Sequence, residues 1–132
     1  MTTVRFLYKR VRLIDQPVIP IGIKFPNQWV PLDVYVDSGA EYTVIEAGIA
    51  ESVGFDYRQG NRIYLQVGDG SLIPVYLNHV EDQLGTVQLR CRVGFSEQLK
   101  VNYNVLGKAD IFDYFKICFS QKQRLITFET ID

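Results

Sequence analysis

The sequence predicts an all-β fold, a closed barrel or sandwich of short strands with a glycine-tipped hairpin and one or two short helices. Three observations carry that prediction. Short apolar segments recur along the chain, punctuated by Gly, Pro and Asn. Aromatic residues make up 13% of the chain, alongside many Val and Ile, the residue types that suit a pleated surface. Val87, Leu89, Cys91 and Val93 alternate with Thr86, Gln88, Arg90 and Arg92, which is the two-faced pattern of a half-buried strand.

The elements follow in order. Residues 4–14 (VRFLYKRVRLI) read as a strand or extended arm that ends at Gln16-Pro17. Val18–Phe25 is a second apolar run, interrupted by Pro20 and Gly22, which suits a short or edge strand. Pro26-Asn27 marks a turn. Residues 29–36 (WVPLDVYV) form a third strand, apolar on both sides toward its end, that runs into Asp37-Ser38-Gly39-Ala40. Residues 42–45 suit a short strand. Ile45, Ile49 and Val53 recur four apart with Ala50 beside them, one face of a short helix that Gly54 can end. Residues 56–62 are polar and read as a loop. Ile63, Leu65 and Val67 alternate with Tyr64 and Gln66; Gly68-Asp69-Gly70-Ser71 is a tight turn, and residues 72–77 return as the second arm of a hairpin. Tyr103 to Leu106 is a short strand closed by Gly107. Ile111, Phe112 and Phe115 fit one helical face, and residues 116–119 and 125–128 are final strands around SQKQR. That gives about nine strands and two short helices, a spacing typical of closed or sandwiched β architectures.

A chain of 132 residues makes one domain, with a core over about residues 18–128 and an N-terminal arm at 1–16. Hydrophobic residues at 47% and charged residues at 22% exclude a disordered chain. A net charge of −1 removes the basic field that nonspecific nucleic-acid binding needs. Cys91 and Cys118 lack CxxC spacing, and with His79 as the single histidine four zinc ligands are hard to assemble. No metal or organic cofactor is expected. The opening MTTVRFLYKRVRLID has no apolar signal-peptide core, and no run approaches the ~18 apolar residues of a membrane span. The expectation is a cytoplasmic protein with no membrane or nucleic-acid partner.

The informative segment is Val34-Tyr35-Val36-Asp37-Ser38-Gly39-Ala40-Glu41-Tyr42-Thr43-Val44-Ile45. A carboxylate at the end of an apolar strand is costly unless something satisfies it. Ser38 offers a hydroxyl, and Gly39 lets the backbone turn tightly and bring N–H groups toward the carboxylate. Asp, Ser and Gly are also ordinary turn residues. The tripeptide alone arises by chance in on the order of one chain in twenty of this length, so its flanks decide.

Those flanks, apolar–apolar–Asp–Ser–Gly–Ala and then Thr43-Val44-Ile45, resemble the active-site segment of aspartic proteases of the retroviral type. Asn104-Val105-Leu106-Gly107-Lys108 with Ile111-Phe112 resembles that family's second signature, and the hairpin with its Gly68-Asp69-Gly70 tip stands where the family carries its flap. Over residues 18–128 the chain looks most like the small single-domain retropepsin-like proteins of bacteria. Ser38 stands for the commoner Thr and keeps the hydroxyl. Where retroviral enzymes carry Gly-Arg-Asp/Asn, this chain has Gly107-Lys108-Ala109-Asp110, and Lys has no planar fork to replace a bidentate Arg.

The resemblance implies an aspartic endopeptidase acting on extended peptides through a water activated between two carboxylates. The chain holds a single Asp-[Ser/Thr]-Gly; neither Asp69 nor Asp110 matches it. Catalysis therefore implies a symmetric homodimer with one Asp37 from each copy. Residues 4–14 and 125–131 are candidates for pairing across the copies or for ordinary sheet edges within one. By resemblance Ser38 supports the loop across the axis, Gly39 directs an N–H at the carboxylates, Ala40 lines the floor, and Gly68, Asp69 and Gly70 form a flap tip over bound peptide. Val105 and Leu106 would pack behind the loop. The competing reading is a non-catalytic dimer of the same fold that binds a peptide or small ligand in the cleft. His79 with Cys91 as a dyad, and Arg5, Lys9, Arg10 and Arg12 as a basic patch, read better as structural and solvated residues.

Overall fold

A computed structural model describes residues 1–99 and 104–131. Twelve strands, one α-helix and one 3₁₀ turn are present among them: β1 (Thr3–Leu7), β2 (Lys9–Val11), β3 (Ile14–Gln16), β4 (Val18–Phe25), β5 (Gln28–Val36), β6 (Thr43–Glu46), α1 (Ala47–Ser52), the 3₁₀ turn Tyr57–Gln59, β7 (Asn61–Gln66), β8 (Leu72–Leu84), β9 (Val87–Ser96), β10 (Asn104–Leu106), β11 (Phe115–Ser120) and β12 (Leu125–Thr130). Tyr103, the first residue of the strand expected at 103–106, lies outside the described residues.

Seven strands form one sheet in the order β4-β5-β10-β6-β9-β8-β7, and β4 also pairs with β8. That second pairing, Gly22↔Gln83 through Lys24↔Glu81, closes the sheet into a barrel and leaves β7 outside it as the hairpin partner of β8. The interior is filled by Ile19, Ile21, Ile23 and Phe25 from β4, Val34 and Val36 from β5, and Cys91, Val93 and Phe95 from β9. Each fully buried Ile or Phe contributes roughly 1.5–3 kcal/mol. Phe25, Phe55 and Phe95 cluster with centroids 5.3 to 6.2 Å apart.

β8 has 13 residues, about twice the expected length, because Asn78-His79 does not break it. Asn78 is buried and its amide donates to Tyr57 O (2.9 Å), while His79 points outward. The arm 4–14 is not one strand. β2 and β3 form a hairpin across Arg12-Leu13, both at positive φ (51° and 68°). Such turns normally carry Asn-Gly, so the sequence gives no sign of this one.

The helix expected at 111–115 is a run of turns. Phe112 N–H donates to Lys108 O and Phe115 N–H to Ile111 O, but Asp110 at φ 68° breaks helical geometry. Ile111 and Phe115 are buried all the same. α1 is shorter than the 45–53 spacing suggests, because Ile45 belongs to β6; its buried face is Ala47 and Ala50.

A separate sheet runs β1-β12-β11. Its centre strand β12 pairs with β1 from Thr3↔Glu129 to Leu7↔Leu125 and with β11 from Phe115↔Thr130 to Ser120↔Leu125. The two terminal segments therefore pair with each other inside one chain.

Candidate active site

β5 carries Val34 and Val36 into the core and delivers Asp37 at its end. β10 lies between the two strands that flank the Asp37 loop. It runs parallel to β5 (Val105↔Tyr35) and antiparallel to β6 (Val105↔Val44). Asp37 N–H donates to Leu106 O (3.0 Å), which fixes where the strand stops and the loop begins.

The loop is tight. Asp37 Oδ1 accepts the Gly39 N–H (2.8 Å), and Ala40 N–H donates to Asp37 O (3.2 Å). Asp37 and Ala40 are half-buried; Ser38 and Gly39 are exposed. Gly39 is not among the residues at positive φ, so the turn does not need a left-handed residue there. What Gly39 supplies is close approach, since a Cβ at that position would lie 3.2 Å from Asp37 Oδ1.

The chain after β10 straps the loop from the other side. Lys108 N–H donates to Ala40 O and Ala109 N–H to Glu41 O, each at 2.9 Å. Gly107 N–H donates to Oγ1 of the fully buried Thr43 (3.1 Å). A Cβ at Gly107 would sit 2.3 Å from the Tyr42 carbonyl carbon and oxygen, so only glycine fits. The contacts of two further residues of this frame escape sequence reasoning. Asn104 Oδ1 accepts the Glu46 N–H (2.9 Å) while its Nδ2 donates to Asp33 O (3.4 Å), joining the middle of β5 to the end of β6. Arg92, on β9, donates its backbone N–H (2.8 Å), Nε (3.0 Å) and Nη2 (3.2 Å) to the Asp110 carboxylate and holds that carboxyl below its ordinary range. A lone Arg in an alternating strand carries no sequence signal for either contact.

Gly68, Asp69 and Gly70 form the tip of the β7–β8 hairpin. Val67 N–H donates to Ser71 O and Gly70 N–H to Val67 O, each at 2.9 Å, with Gly70 at φ 84°. Asp69 Oδ1 accepts from Ser71 N–H (2.9 Å) and Ser71 Oγ (2.6 Å), so this carboxylate folds the turn. Beneath the hairpin, Ile73 and Val75 pack with Val44 in a small second cluster joined by Ile63, Leu65 and Val67. Through Val44 the hairpin stands on the strand that leaves the Asp37 loop.

Asp37 lines none of three surface cavities, which occupy about 430, 490 and 250 Å³. His79 and Cys91 do not meet as a dyad: His79 is exposed, whereas Cys91 faces the core and burial pushes its thiol pKa up. Among the described residues no three His, Cys, Asp or Glu side chains converge as metal ligands, and no helix is long and apolar enough to cross a membrane. Arg10 and Arg12 are exposed on the β2–β3 hairpin, and Lys9 pairs with Asp33.

A second carboxyl is unusual for a different reason. Asp82, on the inward face of β8, is fully buried and neither of its oxygens meets the geometry of a full hydrogen bond. Burial, the larger effect, pushes its pKa up to about 7; the Cys91 thiol beside it lowers it and the Asp110 charge raises it.

No family model and no curated protein sequence matches this chain. Solved structures do. A retropepsin-like aspartic protease from Rickettsia conorii superposes with a TM-score of 0.69 at 14% identity, over 96% of this chain and 91% of that one. The EIAV protease in complex with the inhibitor HBY-793 superposes with a TM-score of 0.56 at 17% identity, over 78% of this chain and 91% of that one. At these identities the likeness is one of fold. The chain has the all-β retropepsin-like fold.

Proposed function

We propose that this chain, built on the retropepsin-like fold, is an aspartic endopeptidase that works as a symmetric homodimer with Asp37 of each copy at the axis. The observation that carries the reading is the Asp37 loop: a carboxylate at the end of a buried strand, oriented by the Gly39 N–H and strapped on both sides by β10 and Gly107. A hairpin with a Gly-Asp-Gly tip packs through Ile73 and Val75 on Val44 of β6, the strand that leaves the loop. The two structural neighbours carry the name protease, which supports the choice of chemistry.

Two Asp37 carboxyls brought within ~3 Å cannot both ionise and share one proton. The ionised one takes a proton from a water held between them, and the protonated one donates to the scissile carbonyl oxygen. The roles then exchange as the amine leaves, and the pair titrates as a unit with a bell-shaped pH–rate profile. The substrate is an extended peptide laid between the loop and the hairpin as an added strand. Gly68, Asp69 and Gly70 close over it, and Ser38 joins the two loops.

The second copy has limited ways to meet the terminal sheet. Both sides of β12 are already paired within the chain, so among the described residues only β1 and β11 present an outer edge. β11 exposes Cys118 and Phe119.

The test is cleavage of an unstructured peptide library, read by mass spectrometry from pH 4 to 8 at high protein concentration, with Asp37→Asn alongside. Cleavage that vanishes in the variant establishes the aspartic mechanism and reveals the side-chain preference. Cleavage that survives it refutes the assignment of Asp37. Silence from a sample shown to be dimeric favours the binding-module reading.

A further inference from the structure

We propose that Arg92 is a positioning residue for the Asp37 loop, a planar clamp that joins Tyr42 at the loop's exit to Asp110 in the strap behind it. The proposal rests on the peptidase reading for its effect on turnover. Its geometric content does not.

Four contacts converge on Arg92. Its backbone N–H, Nε and Nη2 all reach the Asp110 carboxylate, at 2.8, 3.0 and 3.2 Å. Its guanidinium carbon lies 5.5 Å from the centroid of the Tyr42 ring. Asp110 sits at φ 68°, in the left-handed region that Asp tolerates better than most side chains. The three donors from Arg92 fix the direction of its carboxylate.

The clamp closes a ring of short connections around the catalytic loop. Tyr42 is adjacent to Glu41, whose carbonyl accepts the Ala109 N–H; Ala40 accepts from Lys108; Gly107 fits against the Tyr42 carbonyl with no room for a Cβ. Ala40 follows Gly39, whose N–H binds Asp37 Oδ1. Arg92 thus ties the strap to the loop's exit from β9, the strand that pairs with β6 just beyond that exit (Thr43↔Val93). Lys108, next to Gly107 and exposed, cannot do this, because an ammonium has neither a planar face to stack nor a fork to grip a carboxylate.

The side chains of the pair are 41% and 30% exposed, a setting in which ion pairs add little to global stability. The effect of Arg92 therefore belongs in the orientation of Asp37 rather than in whether the chain folds. Small misplacements of a reacting group cost up to about 100-fold in rate.

The experiment uses the full chain as Arg92→Ala and Arg92→Lys, with Lys122→Ala, exposed in the β11–β12 turn, as a control. The first readout is the amide spectrum through a pH titration, which reports the Gly39 N–H and the Asp37 carboxylate without requiring turnover. In both Arg92 variants the Gly39 amide and its titration should shift, along with residues 40–43 and 107–110, while Lys122→Ala leaves them unchanged. A Gly39 signal identical to wild type in Arg92→Ala overturns the proposal. The second readout is turnover: kcat falls about 10- to 100-fold with KM within about threefold. Added guanidinium ion restores part of kcat to Arg92→Ala, whereas Arg92→Lys stays low. Full activity in Arg92→Lys overturns the planar clamp, since charge alone would then suffice. A wild type that cleaves nothing, with a Gly39 signal that still responds to Arg92, refutes the peptidase reading and leaves the clamp standing.

Discussion

Asp82 should make this protein more stable in mild acid than at neutral pH. The perturbation that isolates it is Asp82→Asn, which removes the titration with little change of shape. Its folded pKa is raised, from the ordinary 3.8 to about 7, with burial as the main cause. A raised carboxyl pKa means that the folded state holds its proton more tightly than the unfolded state does. The stability this confers is complete below about pH 4 and is lost as pH rises to and through 7. The two values lie roughly three pH units apart, and at 1.36 kcal/mol per unit the loss amounts to about 4 kcal/mol. That is a large share of the 5–15 kcal/mol typical of a domain. Asp110 works in the opposite sense. Arg92 lowers its pKa, so its contribution is present above about pH 4 and disappears only in stronger acid. The two windows do not overlap. The assay is urea unfolding at pH 5, 6, 7 and 8 at one fixed protein concentration, followed by Trp29 and tyrosine fluorescence, for wild type and Asp82→Asn. Wild-type stability should fall across this range while the variant stays flat, with the variant ahead by a few kcal/mol at pH 8. A difference between the two proteins that does not change with pH would refute the reasoning, because burial would then be imposing no cost on the ionised form.

Three further outcomes follow from the frame around the loop and from the N-terminal hairpin. Gly107→Ala places a Cβ 2.3 Å from the Tyr42 carbonyl; it should cost about 3 kcal/mol or more, read as a lowered urea midpoint or loss of soluble protein. Asn104→Ala removes the partner of the exposed Glu46 N–H and should cost about 0.5–1.5 kcal/mol in the same assay, with slower peptide cleavage if β6 shifts against β5. Replacing Arg12-Leu13 by Asn-Gly suits the positive φ values of that turn and should raise stability by about 1 kcal/mol, seen as a higher melting temperature.

Much of the site was legible because its signals are local. An apolar strand ending in Asp-Ser-Gly-Ala, and Val105-Leu106-Gly107 further on, are short runs whose chemistry can be read in place. The hairpin tip at 68–70 is another, since glycines flanked by alternating apolar residues leave few options. Local signals also misled. The spacing of Ile111 and Phe115 correctly marks two buried residues, but the same spacing fits a helix and a pair of overlapping turns, and Asp110 at positive φ selects the turns. Asn78-His79 looked like the end of a strand because polar residues usually mark one; a buried partner, Tyr57 O, lets the strand continue.

The sequence by itself determined which residues face inward along most strands, where Asp37 falls at a strand's end, and that one chain carries one such Asp. Each of these depends on neighbours within a few positions, where the period of a strand fixes the geometry. The tertiary structure decided the rest: the closure of β4 on β8, the seat of β10 between β5 and β6, the grip of Arg92 on Asp110 and the burial of Asp82. Those features join residues far apart in the chain, 18 positions for Arg92 with Asp110 and 58 for Glu46 with Asn104. No local pattern encodes such pairs, because they are set by which surfaces meet when the barrel closes, and an ordinary Arg or Asp acquires its role only there.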